Sequence, residues 1–284
     1  MSLGVLNNIS AIYAQNNLSA TQNSLSKTLQ QLSSGSRINS GADDAAGLAV
    51  ADGLAANTTA LAQSARNASD ATGLLQTADG ALSQVTSLLN RAVTLATQAA
   101  NGTLSTAQVS SANQEYQNIL SQINNIGSTT NFNGTPVFSA TARNFFVSDG
   151  TTSGSTTYSD TVGTLTTASV GTSSTGGGTD FTAAGVATLS ATTATGVLTA
   201  LTTAIGDVAY QRGTIGANIN QLASASSVVS SEQTNLTAAE DSIRATDYGQ
   251  AASNLSKYQV LSQTGISALA QANSVQQEVA KLLQ

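Results

Sequence analysis

The residue pair that most invites a chemical reading is Asp43–Asp44, whose carboxylates could bind a metal ion or transfer a proton. Both stand directly before an alanine-rich run that begins at Ala45. The N-terminus of a helix favours negative charge because its backbone N–H groups are unpaired there. Arg37 is close enough in sequence to pair with one of the two acids. We therefore interpret the pair as the start of a helix and not as a reactive site.

The composition excludes most other kinds of chemistry. The chain has 284 residues with no cysteine and no histidine, which excludes disulfides, thiol catalysis, Cys/His zinc sites and a histidine base. None of its lysines follows a glycine in a phosphate-binding G-K-[ST] motif, and no G-x-S-x-G motif of a hydrolase occurs. A formal net charge of −6 argues against nucleic acid as a partner. We expect no enzyme activity, no cofactor and no metal site.

Two stretches carry an apolar residue at every seventh position, which is typical of long helices that pack side by side. The second stretch, residues 201–243, predicts a rod on the order of 60 Å long at about 1.5 Å per residue. Because such stripes are narrow, we expect one chain to leave them partly exposed and stacked copies to bury them. The seam residues are Leu61, Leu75, Leu82, Leu89, Leu201, Val208, Ile215, Leu222, Val229, Leu236 and Ile243.

Both chain ends carry similar stripes. Isolated helices of this kind are marginal in water because most helical stability comes from packing. We expect the two ends to fray in a free monomer and to become ordered against each other and against neighbouring copies. The residues of these stripes are Leu18, Leu25 and Leu32 near the start and Leu261, Ala268, Val275, Val279 and Leu282 near the end.

The middle of the chain has a different character. A further helix is predicted after Gly102 and should end near Gly127, and Asn133–Gly134 is a strong signal for a tight turn. Val137–Phe138 and Phe145–Val147 could form short strands. Residues 149–204 are dominated by Thr, Ser, Gly and Ala. They form either a small β-rich insert or a loose surface loop.

Several separate segments resemble bacterial flagellins, and they stand in the order found in that family. The matching segments are L-S-S-G-S-R-I-N-S-G-A-D-D-A-A-G at residues 32–47, S-A-R-N-A-S-D at 64–70, N-F-N-G at 131–134 and S-I-R-A-T-D-Y at 242–248. The resemblance covers roughly residues 1–140 and 205–284. It implies a mainly α fold, in which long antiparallel helices form a coiled-coil-like bundle with a β-hairpin and a small β-rich or irregular central insert.

The resemblance also implies how the chain is divided. Residues 1–40 and 244–284 would form an inner helical layer, which contains the terminal stripes. Residues 41–147 and 201–243 would form an outer helical layer, which contains the long seams and the hairpin. Residues 148–200 would be a short variable insert on the surface.

The implied function is that of a structural subunit that polymerises into the flagellar filament used for swimming. The implied location is extracellular, after type III export without a cleaved signal peptide, and no stretch is apolar enough to insert into a membrane. Besides itself, the implied partners are an export chaperone, the filament cap and hook-junction proteins. Two alternatives are a hook–filament junction protein and a secreted tip or adhesin-type protein that binds through the Ser/Thr-rich insert.

One implied partner is the vertebrate innate immune receptor for flagellin. The family positions that contact it correspond to Arg91, Leu95 and Glu115 here, and a planar guanidinium suits an interface anchor. The alternative is that Arg91 is a solvated charge on an outer helix face. The family pattern is missing at residues 92–94, so weaker recognition is expected.

Two charges interrupt the long second stripe. Arg212 and Glu240 occupy positions beside the apolar seam, where an unpaired charge is costly to bury. Either this side faces neighbouring subunits, or these residues pair with charges such as Asp70 or Asp79 of the same chain. The sequence leaves both possibilities open.

Overall fold

The structure is a computed structural model that describes residues 8–150 and 157–282. Within these ranges the chain is mainly helical with two small antiparallel sheets, which confirms the predicted fold class. The helices are α1 (Ile9–Ser34), α2 (Ala45–Ala100), α3 (Thr106–Thr129), α4 (Ala194–Arg244) and α5 (Tyr248–Leu282), and the strands are β1 (Asn131–Phe132), β2 (Thr135–Pro136), β3 (Arg143–Phe146) and β4 (Thr157–Asp160).

The chain divides into two compact units, and both boundaries lie inside long helices. The terminal unit comprises Met1–Ala56 and Thr234–Gln284, and the central unit is Asn57–Gln233. The boundaries therefore interrupt α2 and α4, which each contribute residues to both units.

The central unit buries its long seams within one chain. Leu61, Leu75, Leu82 and Leu89 of α2 are fully buried, and so are the α4 seam residues from Leu201 to Val229. The expectation that stacked copies would be needed to cover this part of the stripe was wrong. The second line of buried positions on α4 does not pass through Arg212. It lies one residue earlier, because Ala204 and Gln211 are buried whereas Ile205 and Arg212 are only half-buried. Further along α4, in the terminal unit, Leu236 and Ile243 are half-buried.

In the terminal unit α1 and α5 pack against each other in opposite directions. The side-chain amide of Asn8 donates to the Ala272 carbonyl at 2.9 Å. Leu18 lies against Gly265, and the Tyr248 hydroxyl lies against Gly35. The residue numbers rise on one helix as they fall on the other, so the pair is antiparallel.

The packed face of α5 is not the one that the sequence spacing suggested. Ala251 is buried, and Tyr258, Gly265 and Ala272 are half-buried. Three members of the expected stripe lie on the exposed side of α5, and the side chains of two others fall outside the described residues. The exposed ones are Leu261, Ala268 and Val275, the undescribed ones are Val279 and Leu282, and the α1 members Leu18, Leu25 and Leu32 are half-buried.

The predicted turn at Asn133–Gly134 connects β1 to β2. Both turn residues have positive φ, at 50° and 76°, as a two-residue hairpin with the right-handed twist of its strands requires. The predicted strand at Val137–Phe138 was wrong, because both residues are buried loop residues that follow β2. The predicted strand near Phe145 exists as β3, which pairs with β4 in the register Arg143↔Asp160 to Phe146↔Thr157.

The Ser/Thr-rich segment after β4 is a packed irregular segment. It contains isolated bridges but no further named strand in the described residues up to α4. Most of its large apolar side chains are almost fully buried, whereas Val186 is half-buried. The buried ones are Val162, Leu165, Val170, Phe181 and Leu189.

Candidate assembly surfaces and the residues that position them

The linker between α1 and α2 is organised by the two adjacent acids. The Asp43 carboxylate accepts the backbone N–H groups of Asn39 and Ser40 and lies 2.7 Å from the Lys27 ammonium. The hydrogen bond from Lys27, followed by the bond from Asn39, lowers the pKa of Asp43 to about 2. Asp44 accepts the backbone N–H of Gly47 at 2.8 Å, as a residue that caps a helix N-terminus does.

These contacts support the interpretation of the acid pair as the start of a helix, since α2 begins at Ala45. The expected partner was wrong, because the carboxylate of Asp43 binds Lys27 of α1. The Arg37 guanidinium instead donates to the Ile243 carbonyl at 2.7 Å. Sequence separation alone did not reveal this, since Arg37 and Ile243 lie 206 residues apart.

The terminal helices expose large apolar side chains to an unusual degree. Tyr13 is 67% exposed and Val260 is 63% exposed. Large exposed apolar surfaces on soluble proteins mark binding interfaces. The exposed large apolar residues of α1 and α5 are Ile9, Ile12, Tyr13, Leu29, Tyr248, Val260, Leu261, Ile266 and Val275.

Charge is scarce on the same two helices. Across the described part of α1 the only ionised side chain is Lys27, and the 35 residues of α5 include three charged ones, Lys257, Glu278 and Lys281. Burial of these faces against a neighbour would therefore desolvate few charges, which is the costly part of forming an interface. The α1–α5 pair therefore combines exposed apolar side chains with few charges, as a surface that packs against another protein surface does.

In the central unit, polar side chains of the helices hold the insert by its backbone. On α3, the Tyr116 hydroxyl donates to the Val186 carbonyl at 2.8 Å and the Gln117 amide donates to Ala187 at 2.6 Å. Asn113 accepts the backbone N–H of Leu189 at 2.8 Å. Burial raises the pKa of Tyr116, so the hydroxyl remains a donor across the physiological range.

α4 adds one bond to the backbone of the insert and two bonds to its side chains. The Gln211 amide donates to the Val162 carbonyl, and Asp207 accepts from the Thr179 hydroxyl at 2.8 Å. Burial raises the pKa of Asp160, although Asn218 donates to it at 2.5 Å. The contacts to backbone groups leave no signal in residue type. The two side-chain pairs join residues that lie 28 and 58 positions apart, which the sequence alone does not bring together.

The segment before the insert is held in the same way by α2. The Ser64 hydroxyl donates to the Ser148 carbonyl at 2.6 Å and accepts the backbone N–H of the same residue at 3.1 Å. The Asn67 amide donates to the Phe146 carbonyl at 3.1 Å. Ser64 lies in the apolar seam of α2. Its buried hydroxyl is satisfied there by the backbone of Ser148.

Two of the three residues expected at an immune-receptor site lie together. Arg91 and Glu115 form a bidentate ion pair with distances of 2.7 and 3.1 Å, and the Arg91 side chain is 55% exposed. The pair raises the pKa of Arg91 and lowers that of Glu115. Leu95 is only 3% exposed and belongs to the core of the central unit.

The other charges left open by the sequence are paired within the chain. Arg212 binds Asp79 of α2 through two bonds of 2.7 and 3.2 Å. Glu240 lies 3.3 Å from Arg244 one helical turn later. Of the two acids considered for Arg212, the structure selects Asp79.

The described residues contain neither a metal site nor a membrane span of a recognisable kind. Within 8–150 and 157–282, no three Cys, His, Asp or Glu side chains stand where they could share an ion. Over the same ranges, no helix has both the length and the apolarity needed to cross a bilayer.

The chain belongs to the bacterial flagellin family, a family of structural proteins. The bacterial flagellin N-terminal helical region matches residues 5–143, and the C-terminal helical region matches residues 198–283. Residues 144–197 lie between the two matches and contain most of the insert, including β4.

Curated relatives are flagellins from other bacteria. The chain is 40% identical to flagellin 1 of Proteus mirabilis over 144 residues, which are 51% of this chain and 40% of that protein. It is 45% identical to a Serratia marcescens flagellin over 130 residues, which are 46% of this chain and 37% of that one. The matched region thus spans well under half the length of these relatives.

Among solved structures, the crystal structure of Bacillus cereus flagellin is similar to this chain. Its TM-score is 0.46 at 31% sequence identity, and the match covers 62% of this chain and 94% of that one.

Proposed function

We propose that this chain is the structural subunit of a flagellar filament and that it polymerises with copies of itself. Membership of the flagellin family supports the proposal. The observation that carries it is the exposed apolar surface of α1 and α5, because a monomer gains stability by covering such a surface.

In this proposal the two units have different roles. The central unit already buries its seam and would act as a preformed building block of an outer layer. The terminal helices would pack against those of neighbouring copies and form an inner layer, with Leu261, Ala268 and Val275 facing other subunits. The filament would lie outside the cell, after export of the subunit by a type III route.

The further partners follow from the same proposal. An export chaperone would cover the C-terminal helix before secretion, and cap and hook-junction proteins would contact the two ends of the filament. A vertebrate innate receptor for flagellin would bind the exposed Arg91–Glu115 pair. Leu95 would support α2 from the core side and would not touch the receptor directly, because it is buried.

Seeded polymerisation tests the proposed function. Val260→Lys and Ile12→Lys place a charge on the exposed apolar faces of the terminal helices, and we expect each to abolish growth from filament seeds. Ser87→Lys is the matched control on an exposed position of α2 in the central unit, and it should polymerise like the native chain. Normal growth of both lysine variants at the termini would contradict the proposal.

A further inference from the structure

In the central unit, the two paired strands β3 and β4 are held by different long helices. On the β3 side, Ser64 of α2 binds both the carbonyl and the N–H of Ser148, two residues after the strand ends. On the β4 side, the Gln211 amide of α4 donates to the carbonyl of Val162, also two residues after the strand ends. Because β3 and β4 are hydrogen-bonded to each other, the strand pair connects α2 to α4.

A second bond ties each strand to the same helix. The Asn67 amide of α2 donates to the Phe146 carbonyl of β3 at 3.1 Å. The Asn218 amide of α4 donates to the Asp160 carboxylate of β4 at 2.5 Å. The attachment at each end therefore consists of two side chains from one helix.

These attachments contain the buried polar side chains of the central unit. In its described residues, 57–150 and 157–233, the buried polar side chains other than that of Tyr116 are Ser64, Ser148, Asp160 and Gln211. A buried polar group that loses its partner is costly. Each of these groups therefore penalises any arrangement of the helices in which its partner has moved away.

The apolar seams alone do not fix how α2 and α4 lie along each other. Leucine or alanine occupies every seventh position of α2 from Leu61 to Ala96, and leucine, valine or isoleucine does so on α4 from Leu201 to Val229. A shift by seven residues would place apolar side chains opposite apolar side chains again. The ion pair of Arg212 with Asp79 also joins the two helices, but it is partly exposed and contributes little.

We propose that the β3–β4 pair is a clasp that fixes α2 and α4 in one axial position, with Ser64 and Gln211 as its positioning residues. A shift of either helix would break the buried bonds at one end of the clasp or pull the two strands apart. Loss of one end releases the clasp as a whole, since a strand pair that is held by only one helix no longer connects two. The clasp is a property of the single chain and does not depend on polymerisation.

A double-mutant cycle on the intact soluble chain tests whether the two ends act as a unit. Ser64→Ala and Gln211→Met each remove the buried bonds of one end, and we expect each to raise the equilibrium constant of urea unfolding about tenfold. The double variant should rise little beyond the single variants. Two independent anchors would instead multiply to about a hundredfold, because the effects of distant sites add in free energy, and that result would overturn the inference.

Tyr116→Phe is the matched control for the cycle. It removes a buried hydroxyl that binds the Val186 carbonyl outside the clasp. Its effect on the unfolding constant should therefore multiply fully with that of Ser64→Ala. Less than full multiplication in this control pair would overturn the inference, because the coupling would then not be specific to the clasp.

Spin labels on the same variants measure the axial position itself. The labels are attached through Thr97→Cys of α2 and Ser224→Cys of α4, which are exposed positions in a chain without cysteine. The native background and Tyr116→Phe should each give one narrow distance distribution. The variant with both Ser64→Ala and Gln211→Met should give a broader distribution or a second distance, because a shift by one heptad displaces the helices by about 10 Å. An unchanged narrow distribution in this variant would overturn the inference.

Discussion

Gly127 offers a sharp test of how tightly the insert is held. The sequence predicted a helix that ends near Gly127, and α3 ends at Thr129, so Gly127 is buried within its last turn. A Cβ at this position would collide with the carbonyl oxygen of Leu165. The glycine is therefore present because the backbone of the insert crosses the helix there, and Gly127→Ala should push the two segments apart.

The size of the effect follows from two opposing terms. Replacing glycine by alanine inside a helix stabilises it by up to about 1 kcal/mol. Overpacking a close contact costs about 1–3 kcal/mol, and here the contacting group is backbone and cannot rotate away. Displacement of the insert would also expose Leu165, which is 2% exposed in the structure. We expect Gly127→Ala to lower the free energy of unfolding by about 1–2 kcal/mol.

Urea unfolding of the purified chain measures this difference, and hydrogen exchange locates it. Gly206→Ala is the matched control, because this glycine also lies inside a helix but a Cβ there meets nothing within 4 Å. The control should gain up to about 1 kcal/mol, and only Gly127→Ala should speed exchange in the insert. Equal stability of the two variants with unchanged exchange in residues 157–193 would refute the proposed close contact.

Three further predictions concern charged residues. The Lys27 ammonium lowers the pKa of Asp43 to about 2. Their bond should therefore contribute its full stabilisation at any pH above the ordinary pKa of an aspartate, and this stabilisation should be lost as the pH falls through about 2. An NMR titration that gives Asp43 an ordinary pKa would contradict this prediction. Asp79→Asn should cost less than about 1 kcal/mol, because its pair with Arg212 is partly exposed, and the cost should shrink in high salt when urea unfolding is repeated there. Arg91→Ala should weaken activation of receptor-bearing reporter cells about tenfold or more, and an unchanged response, or no response to the native monomer, would end the receptor proposal.

The sequence predicted the long helices well because their stripes repeat many times. Heptad spacing located α2 and α4, and the Asn133–Gly134 turn was correct because few residue pairs accept positive φ. The start of α2 at Ala45 was predicted from its two preceding acids. These features depend on local chemistry, which the sequence displays directly.

The rest depends on contacts that residue type does not encode. The α5 face that packs on α1 could not be chosen from spacing alone, since both sides of this helix carry small and apolar residues. The insert was ambiguous because its attachment uses backbone carbonyls, such as that of Val186 bound by Tyr116. Arg37 was expected to pair with one of the acids Asp43 and Asp44 because it is close to them in sequence, whereas its guanidinium binds the Ile243 carbonyl near the other end of the chain.

The attachment of the insert also changes how its role must be tested. Deletion of residues 148–200 would remove β4 and leave Tyr116 and Gln211 without their backbone partners. Buried polar groups that lose their partners are costly. If the chain without residues 148–200 failed to polymerise, the failure would therefore reflect damage to the central unit. Substitutions at exposed positions of the insert are the better test of surface binding.

Hydrogen exchange before and after seeded growth tests the central claim most directly. If neighbouring copies complete the terminal helices, amides of α1 and α5 should exchange rapidly in the monomer and become protected when filaments form, while the central unit is protected in both states. A monomer whose terminal helices are already protected, and which forms no fibres from seeds at high concentration, would contradict the account.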